Sequence, residues 1–365
     1  MSEIRALTSL RGVAAIYVIL YHFSNLIAPL ADGEIFALAP RGWLGVDLFF
    51  ALSGFIMAYT YAGDFQERGI AAYSNFLLKR VARILPLNVA VVLTLAVFYF
   101  MFGDAVQMTG RLLLCNLSLL QSFGVCWNFN PPSWSVGVEW VSYFLFPALL
   151  RITLFGRPAT CIMALTTATV ALTILALQGS SLTVDTVPLG PGFGIVRCVS
   201  EFTFGLGAYR LYKLQQPLFG SNMLLLVLVG LCAVIILSRR DDLFAALLFP
   251  LVITALASNR DWPARIAEWL PLHFLGVISY SLYLVHHPLI QLEIYFLHHF
   301  HPDKIPHVWS YAVIIAGTIS MIVPSYFTYR AVERPGRALV RDLFASFRIP
   351  AVLDAGLPPT SPPQL

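Results

Sequence analysis

The chain has 365 residues, of which 58% are hydrophobic and only 12% are charged. The charged share is about half that of an ordinary soluble domain, which is too little to solvate the surface of a soluble protein of this size. The composition also excludes a disordered chain, because disordered chains are polar. The five cysteines show no CxxC spacing, and we interpret them as small apolar residues inside helices: Cys115, Cys126, Cys161, Cys198 and Cys232. The class of protein that fits this composition is a polytopic membrane protein.

Ten apolar stretches approach the length of about 20 residues that a transmembrane helix needs. They lie at residues 10–28, 43–61, 84–103, 134–150, 159–178, 191–209, 222–238, 243–257, 273–297 and 308–329. An apolar patch at residues 112–120 could form a re-entrant or interfacial helix, and we treat it as part of a loop. We therefore predict an all-α polytopic membrane protein of about ten transmembrane helices. Residues 1–345 would form one membrane domain, and the proline-rich residues 346–365 a disordered cytoplasmic tail.

The distribution of lysine and arginine orients these helices, because loops rich in these residues stay in the cytoplasm. With the N-terminus inside, most of the basic residues fall in inner segments. Only a few fall in outer segments: Arg41, Arg111, Arg239, Arg240 and Lys304. Both termini are therefore predicted to be cytoplasmic, and the first apolar stretch is interpreted as a retained span rather than a cleaved signal peptide. The net charge of +4 follows from inner loops that face anionic lipid and indicates no nucleic-acid partner.

Arg11 and His22 are two ionisable residues on the first predicted span. Eleven residues separate them, so both side chains share one helix face, about 16 Å apart along the axis. Arg11 at the inner end suits an anionic ligand from the cytoplasm, and His22 deeper in the membrane suits proton transfer. The alternative is a snorkelling arginine and a histidine that packs between helices.

The second and third spans add an acidic and a basic candidate. Asp47 near the outer end of the second span could be a helix-start charge or part of an acceptor site. Arg80 and Arg83, which follow Lys79 at the inner end of the third span, could bind phosphates bidentately. From charge alone, the ordinary basic flank of a cytoplasmic loop is the better interpretation of these arginines.

Glu139 lies about one and a half turns inside the fourth span. Ser135, Glu139 and Tyr143 are spaced at i, i+4 and i+8, so they line one helix face. At this depth Glu139 could pair with His22 in a proton relay, or reach water at the interface.

The later spans carry further polar residues. Arg197 and Glu201 are predicted to pair with each other at i, i+4. Ser279, Tyr283 and His286 lie well inside the ninth span, which indicates a cavity for water or substrate. Four histidines in the outer loop are interpreted as solvated residues rather than a metal site: His298, His299, His301 and His307.

Six short motifs, in order along residues 5–335, resemble those of the acyltransferase type 3 family of bacterial membrane acyltransferases. They are Arg11 and Gly12 with His22; residues 45–50 and 52–55; Arg80 and Arg83 with Pro86; Ser135, Glu139 and Tyr143; residues 279–281 with Tyr283, Leu284 and His286; and residues 333–335. The resemblance implies transfer of an acyl group, expected to be acetyl, from cytoplasmic acyl-coenzyme A to a sugar hydroxyl. The acceptor would be an exopolysaccharide, another surface glycan or its lipid-linked precursor at the bacterial inner membrane.

On this resemblance, Arg11, Arg80 and Arg83 would bind acyl-coenzyme A, and His22 and Glu139 would be catalytic. Six further residues would contact the acceptor or support the site: Asp47, Ser135, Tyr143, Ser279, Tyr283 and His286. Acyl-coenzyme A would be a cosubstrate, with no bound cofactor or metal. Some relatives carry a fused hydrolase-like domain that these 365 residues lack, so this chain or a separate protein would complete the transfer. A transporter or flippase without chemistry is the alternative function.

Overall fold

The computed structural model describes residues 3–28, 31–32, 39, 41–102, 109–178, 190–215, 217–238, 242–300 and 305–346. Within these ranges the chain is almost entirely helical, and the only strands described are two short ones. The predicted tail beyond Ser346 and the outer-loop residues Arg239, Arg240 and Lys304 lie outside the described residues.

The helices follow the ten predicted apolar stretches closely. Their bounds are α1 Arg5–Ile27, α2 Leu44–Arg68, α3 Tyr73–Phe102, α4 Gly110–Leu117, α5 Ser133–Leu150, α6 Pro158–Leu177, α7 Pro191–Lys213, α8 Asn222–Ser238, α9 Asp242–Ser258, α10 Trp262–Ala267, α11 Leu270–Val277, α12 Ser279–Phe300, α13 His307–Ser320, α14 Ile322–Thr328 and α15 Arg334–Ser346. The two strands, β1 Ala31–Asp32 and β2 Ile305–Pro306, pair in parallel. The ninth predicted stretch corresponds to α11 with α12, and the tenth to α13 with α14.

Five continuous helical segments within the described ranges are long and apolar enough to cross a membrane. They are Arg5–Ile27, Leu44–Met101, Ser133–Phe155, Pro158–Leu177 and Val308–Phe344. Two shorter apolar helices, α8 and α9, accompany them. The protein is therefore a multi-pass, helical membrane protein.

Glycines allow the central helices to pack with their backbones in contact. Gly54 of α2 lies against Gly205 of α7, and a Cβ on Gly205 would stand 2.8 Å from the backbone nitrogen of Phe55. Gly12 of α1 makes the same kind of contact with α11, where an added Cβ would lie 2.6 Å from the backbone nitrogen of Gly276. Small residues bring helices together in membranes because lipid supplies little hydrophobic force between apolar helices. These contacts fix the helices that carry Arg11 and Asp47.

The segment between α3 and α5 is held by a disulfide, which corrects the interpretation of all five cysteines as isolated apolar residues. Cys115 on α4 bonds to Cys126, and their Cα atoms are 6.6 Å apart. Asn116 reinforces this link, since its side chain donates to the Trp127 carbonyl and accepts from the Phe129 backbone. The pairing was missed because eleven residues separate the two cysteines and no short motif marks them. The other three cysteines are buried and free, as predicted: Cys161, Cys198 and Cys232.

Replacing Cys115 and Cys126 together by alanine is expected to destabilise this segment by about 3 kcal/mol, the loop-entropy value for a link of this length. In detergent, the double variant should unfold at a lower midpoint temperature than the wild type. Cys232→Ala is the matched control, because it removes a buried thiol that forms no disulfide. An unchanged midpoint in the double variant, or the absence of a Cys115–Cys126 peptide in a non-reducing digest, would contradict the assignment.

Candidate active site

Most of the polar residues predicted from the sequence line one cavity within the helical bundle. Its volume is about 350 Å³. The predicted residues that line it come from α1, α3, α5 and α12: Arg11, Arg80, Arg83, Ser135, Glu139, Tyr143, Ser279 and Tyr283. Apolar side chains of α2, including Phe49, Phe50 and Met57, complete the wall. A cavity that combines an apolar wall with a few convergent polar groups is the usual form of a substrate site.

Aromatic rings hold the two α3 arginines in place. Arg80 donates to the Tyr61 hydroxyl at 2.8 Å, and its guanidinium also lies over the rings of Phe76 and Tyr143. Arg83 lies over the Tyr280 ring at 5.4 Å. Cation–π contacts of this kind orient a guanidinium while leaving N–H groups for a ligand. The geometry therefore concentrates positive charge at one part of the cavity wall.

Glu139 faces these arginines from α5. Its carboxylate lies against the hydroxyls of Ser53 and Tyr143, and Arg80 and Arg11 are close enough to interact with its charge. Arg11 likewise lies within electrostatic range of Arg80 and Arg83. The three arginines and one carboxylate leave the group with net positive charge, which favours an anionic ligand.

His22 does not line the cavity, and its ring packs against His286, which in turn packs against the lining residue Tyr283. The His22 ring centroid is 5.2 Å from that of His286 and 6.1 Å from that of His287. His286 is fully buried, and its Nδ1 lies 2.5 Å from the Tyr283 carbonyl oxygen, which fixes this nitrogen as the N–H donor. Its other ring nitrogen, Nε2, is buried without a hydrogen-bond partner among the described residues. The histidine cluster thus presents an unused proton acceptor beside His22.

Tyr283 connects the histidine cluster to the cavity. Its hydroxyl hydrogen-bonds with the Ser135 hydroxyl at 2.8 Å, one helical turn from Glu139. Its ring is 5.7 Å from that of His286. Neighbouring side chains therefore lead from His22 through His286 and Tyr283 to Ser135, and the direct pairing of Glu139 with His22 stays a prediction.

Asp47 occupies a different environment, a buried ion pair between α2 and α7. Arg197 binds its carboxylate bidentately, with Nε to Oδ1 at 2.7 Å and Nη2 to Oδ2 at 2.6 Å. Glu201, the partner predicted from sequence spacing, lies at 3.9 Å from the same guanidinium. Asp47 and Arg197 are fully buried and are not part of the cavity wall. This placement gives Asp47 a structural partner and separates it from the other candidates.

Two residues of the cavity region were not singled out as candidates from the sequence. Ser53 was noted only as part of a motif on α2, although its hydroxyl faces Glu139. Arg337 on α15 lines the cavity, although its sequence context reads as an ordinary basic flank. No group of three or more His, Cys, Asp or Glu side chains with metal-binding geometry occurs within the described ranges.

A helical membrane protein with a basic cavity and buried carboxylate and histidine side chains can bind an anionic ligand and move a proton. The sequence matches the family model described as "Acyltransferase domain" over residues 4–329. The chain therefore belongs to this family of acyltransferases, which confirms the resemblance found in its motifs.

Curated relatives include named O-acetyltransferases. The chain is similar to peptidoglycan O-acetyltransferase OatA of Listeria monocytogenes, with 24% identity over 91% of this chain and 55% of the relative. It is also similar to the putative peptidoglycan O-acetyltransferase YrhL of Bacillus subtilis, with 24% identity over 80% of this chain and 49% of that protein. Acyltransferase MdmB of Streptomyces mycarofaciens is 29% identical over 40% of this chain and 39% of its own length. The chain spans about half the length of the first two relatives. No solved structure matches significantly.

Proposed function

We propose that the protein is a multi-pass O-acyltransferase of the bacterial inner membrane. It would move an acyl group, most simply acetyl, from cytoplasmic acyl-coenzyme A to a sugar hydroxyl of an exopolysaccharide, another surface glycan or a lipid-linked precursor. Peptidoglycan is a further candidate acceptor, because two relatives are named as peptidoglycan O-acetyltransferases. The observation that carries the proposal is the convergence of Arg11, Arg80, Arg83 and Glu139 in one cavity. His22 contacts His286, which packs against the lining residue Tyr283.

The proposal includes ten membrane spans with both termini in the cytoplasm. The charge distribution supports this orientation, and so does the Cys115–Cys126 disulfide. Disulfides persist in oxidising compartments, and this one lies in a segment that the charge rule places outside. The arginine-lined part of the cavity would then be near the cytoplasm, where acyl-coenzyme A is present.

In the chemical step, the arginines hold the phosphates of the donor, and the thioester reaches toward His22. His22 accepts the proton of the acceptor hydroxyl as its oxygen attacks the thioester carbonyl carbon. The carbon–sulfur bond breaks, and coenzyme A leaves as the free thiol after taking up that proton. Alternatively, the acyl group first moves to a His22 ring nitrogen and then to the acceptor, which yields the same products.

Glu139 would orient His22 or hold the acceptor sugar, with support from Ser135, Tyr143, Ser279, Tyr283 and His286. Glu139→Gln is expected to reduce transfer about ten- to a hundredfold, the usual result of losing a charge-assisted hydrogen bond. Coenzyme A should bind the variant at least as tightly as the wild type, because a negative charge beside Arg11 and Arg80 has been removed. Glu67→Gln, on the exposed end of α2, is the matched control. Weaker coenzyme A binding with normal transfer would contradict this role.

A transporter or flippase of a glycan or small anion is the alternative, since a polar track through a helical bundle also suits transport. The discriminating measurement is the release of free coenzyme A by purified protein given acetyl-coenzyme A. Peptidoglycan fragments and exopolysaccharide would serve as acceptors in separate reactions. The transferase releases one thiol for each ester formed, whereas a transporter releases none.

A further inference from the structure

The C-terminal helix α15 contributes to the cavity from outside the region matched by the family model. Its arginines, Arg334, Arg337 and Arg341, recur at helical spacing on one side, and exposed apolar residues such as Leu339 and Leu343 occupy the other. This amphipathic pattern is typical of a helix that lies along a membrane surface. The helix is also fixed to the bundle, because the backbone of Gly336 packs directly against Pro86 of α3, leaving no room for a side chain.

One buried carboxylate joins α15 to the site. Glu333, which is only 1% exposed, accepts hydrogen bonds from Arg83 and Arg337 through the same oxygen and from Ser281 through the other. The contact with Arg83 is 2.7 Å long. Glu333 therefore holds two guanidiniums, one from α3 and one from α15, side by side at the cavity.

Arg337 retains hydrogen-bonding capacity in this position. It lines the cavity together with Arg11, Arg80 and Arg83. Its side chain is 32% exposed, although one of its terminal N–H groups is held by Glu333. A partly exposed guanidinium in a cavity wall is placed to donate to an anionic ligand there.

We propose that Arg337 is a phosphate-binding residue for the acyl donor, held in position by Glu333. The inference rests on the proposed function, because it takes acyl-coenzyme A as the ligand. Arg337 raises the number of cavity guanidiniums to four, against the carboxylates Glu139 and Glu333. A net positive group of this kind suits the several negative charges of coenzyme A, and a planar guanidinium pairs bidentately with phosphate.

The test compares the dissociation constants of coenzyme A and pantetheine, which lacks the phosphates, for the full-length protein in detergent. Arg337→Ala is expected to weaken coenzyme A binding about tenfold or more while leaving pantetheine binding within about twofold of the wild type. Arg337→Lys keeps the charge but loses the planar fork of donors. Its affinity for coenzyme A is expected to lie between those of the wild type and the alanine variant. Titration calorimetry at two salt concentrations measures both ligands, and the alanine variant should show the weaker salt dependence.

Arg341→Ala is the matched control, since Arg341 lies on the same helix and is largely exposed. An equal loss for coenzyme A and pantetheine would overturn the proposal, because it would show a structural role. Unchanged coenzyme A binding in Arg337→Ala would also overturn it while leaving the proposed function intact. If the alanine variant does not fold, Arg337→Lys decides, and unaltered coenzyme A affinity there overturns the proposal. Wild-type protein that binds no coenzyme A would overturn the proposed donor and this inference together.

Discussion

Cells that carry His22→Ala should lose acyl transfer by about 10²- to 10⁴-fold, the contribution of a general acid–base group. Loss of a nucleophile at this position would have at least as large an effect. The expected change follows from the proposed role of His22, whose ring packs against His286 and through it toward the cavity residue Tyr283. Mild base releases ester-linked acetate from the envelope glycan fraction, and the released acetate measures transfer at matched protein levels.

His299→Ala provides the control for this result, because His299 stacks on Tyr295 near the far end of α12, away from the cavity. It should leave transfer unchanged. Coenzyme A binding should survive in His22→Ala, since the arginines that would bind the phosphates are untouched. Full acetylation by the His22→Ala protein would remove His22 from the mechanism, whichever acceptor is used.

The helical framework follows from the sequence because bilayer thickness constrains the length of apolar segments. Each predicted stretch falls on a helix, and the long α1 and α6 match within a few residues. The end of α11 at Ile278, just before α12, was not predicted. It lies within a continuous apolar run, where hydropathy carries no signal for a local interruption of the helix.

The candidate site was predictable where its residues share a helix face or a recognisable motif. The face formed by Ser135, Glu139 and Tyr143 does line the cavity. Contacts between helices distant in sequence were not predictable. Local spacing paired Arg197 with Glu201, whereas the fold brings Asp47 closer, and no single-sequence pattern encodes that approach.

The ion pair between Asp47 and Arg197 leads to a second large expected effect. Both side chains are fully buried between α2 and α7, so removing one partner leaves an uncompensated charge inside the bundle. Arg197→Met is expected to destabilise the protein by about 3–5 kcal/mol, because Asp47 and Glu201 would both lose their counter-ion. Asp47→Asn should cost less, since Arg197 keeps Glu201 at 3.9 Å.

A double-mutant cycle separates the ion pair from simple packing loss. The double variant Asp47→Leu with Arg197→Met replaces the pair by apolar side chains and should be more stable than the sum of its single variants predicts. The difference, measured from unfolding midpoints in detergent, should be about 1–3 kcal/mol, as expected for residues in direct contact. Strictly additive losses would mean that Arg197 is stabilised mainly by its other contacts, the Trp43 carbonyl and the Trp134 ring. The ion pair would then contribute little to the packing of α2 against α7. The Gly54–Gly205 contact would be the main constraint on the position of α2, and therefore on the position of Ser53 beside Glu139.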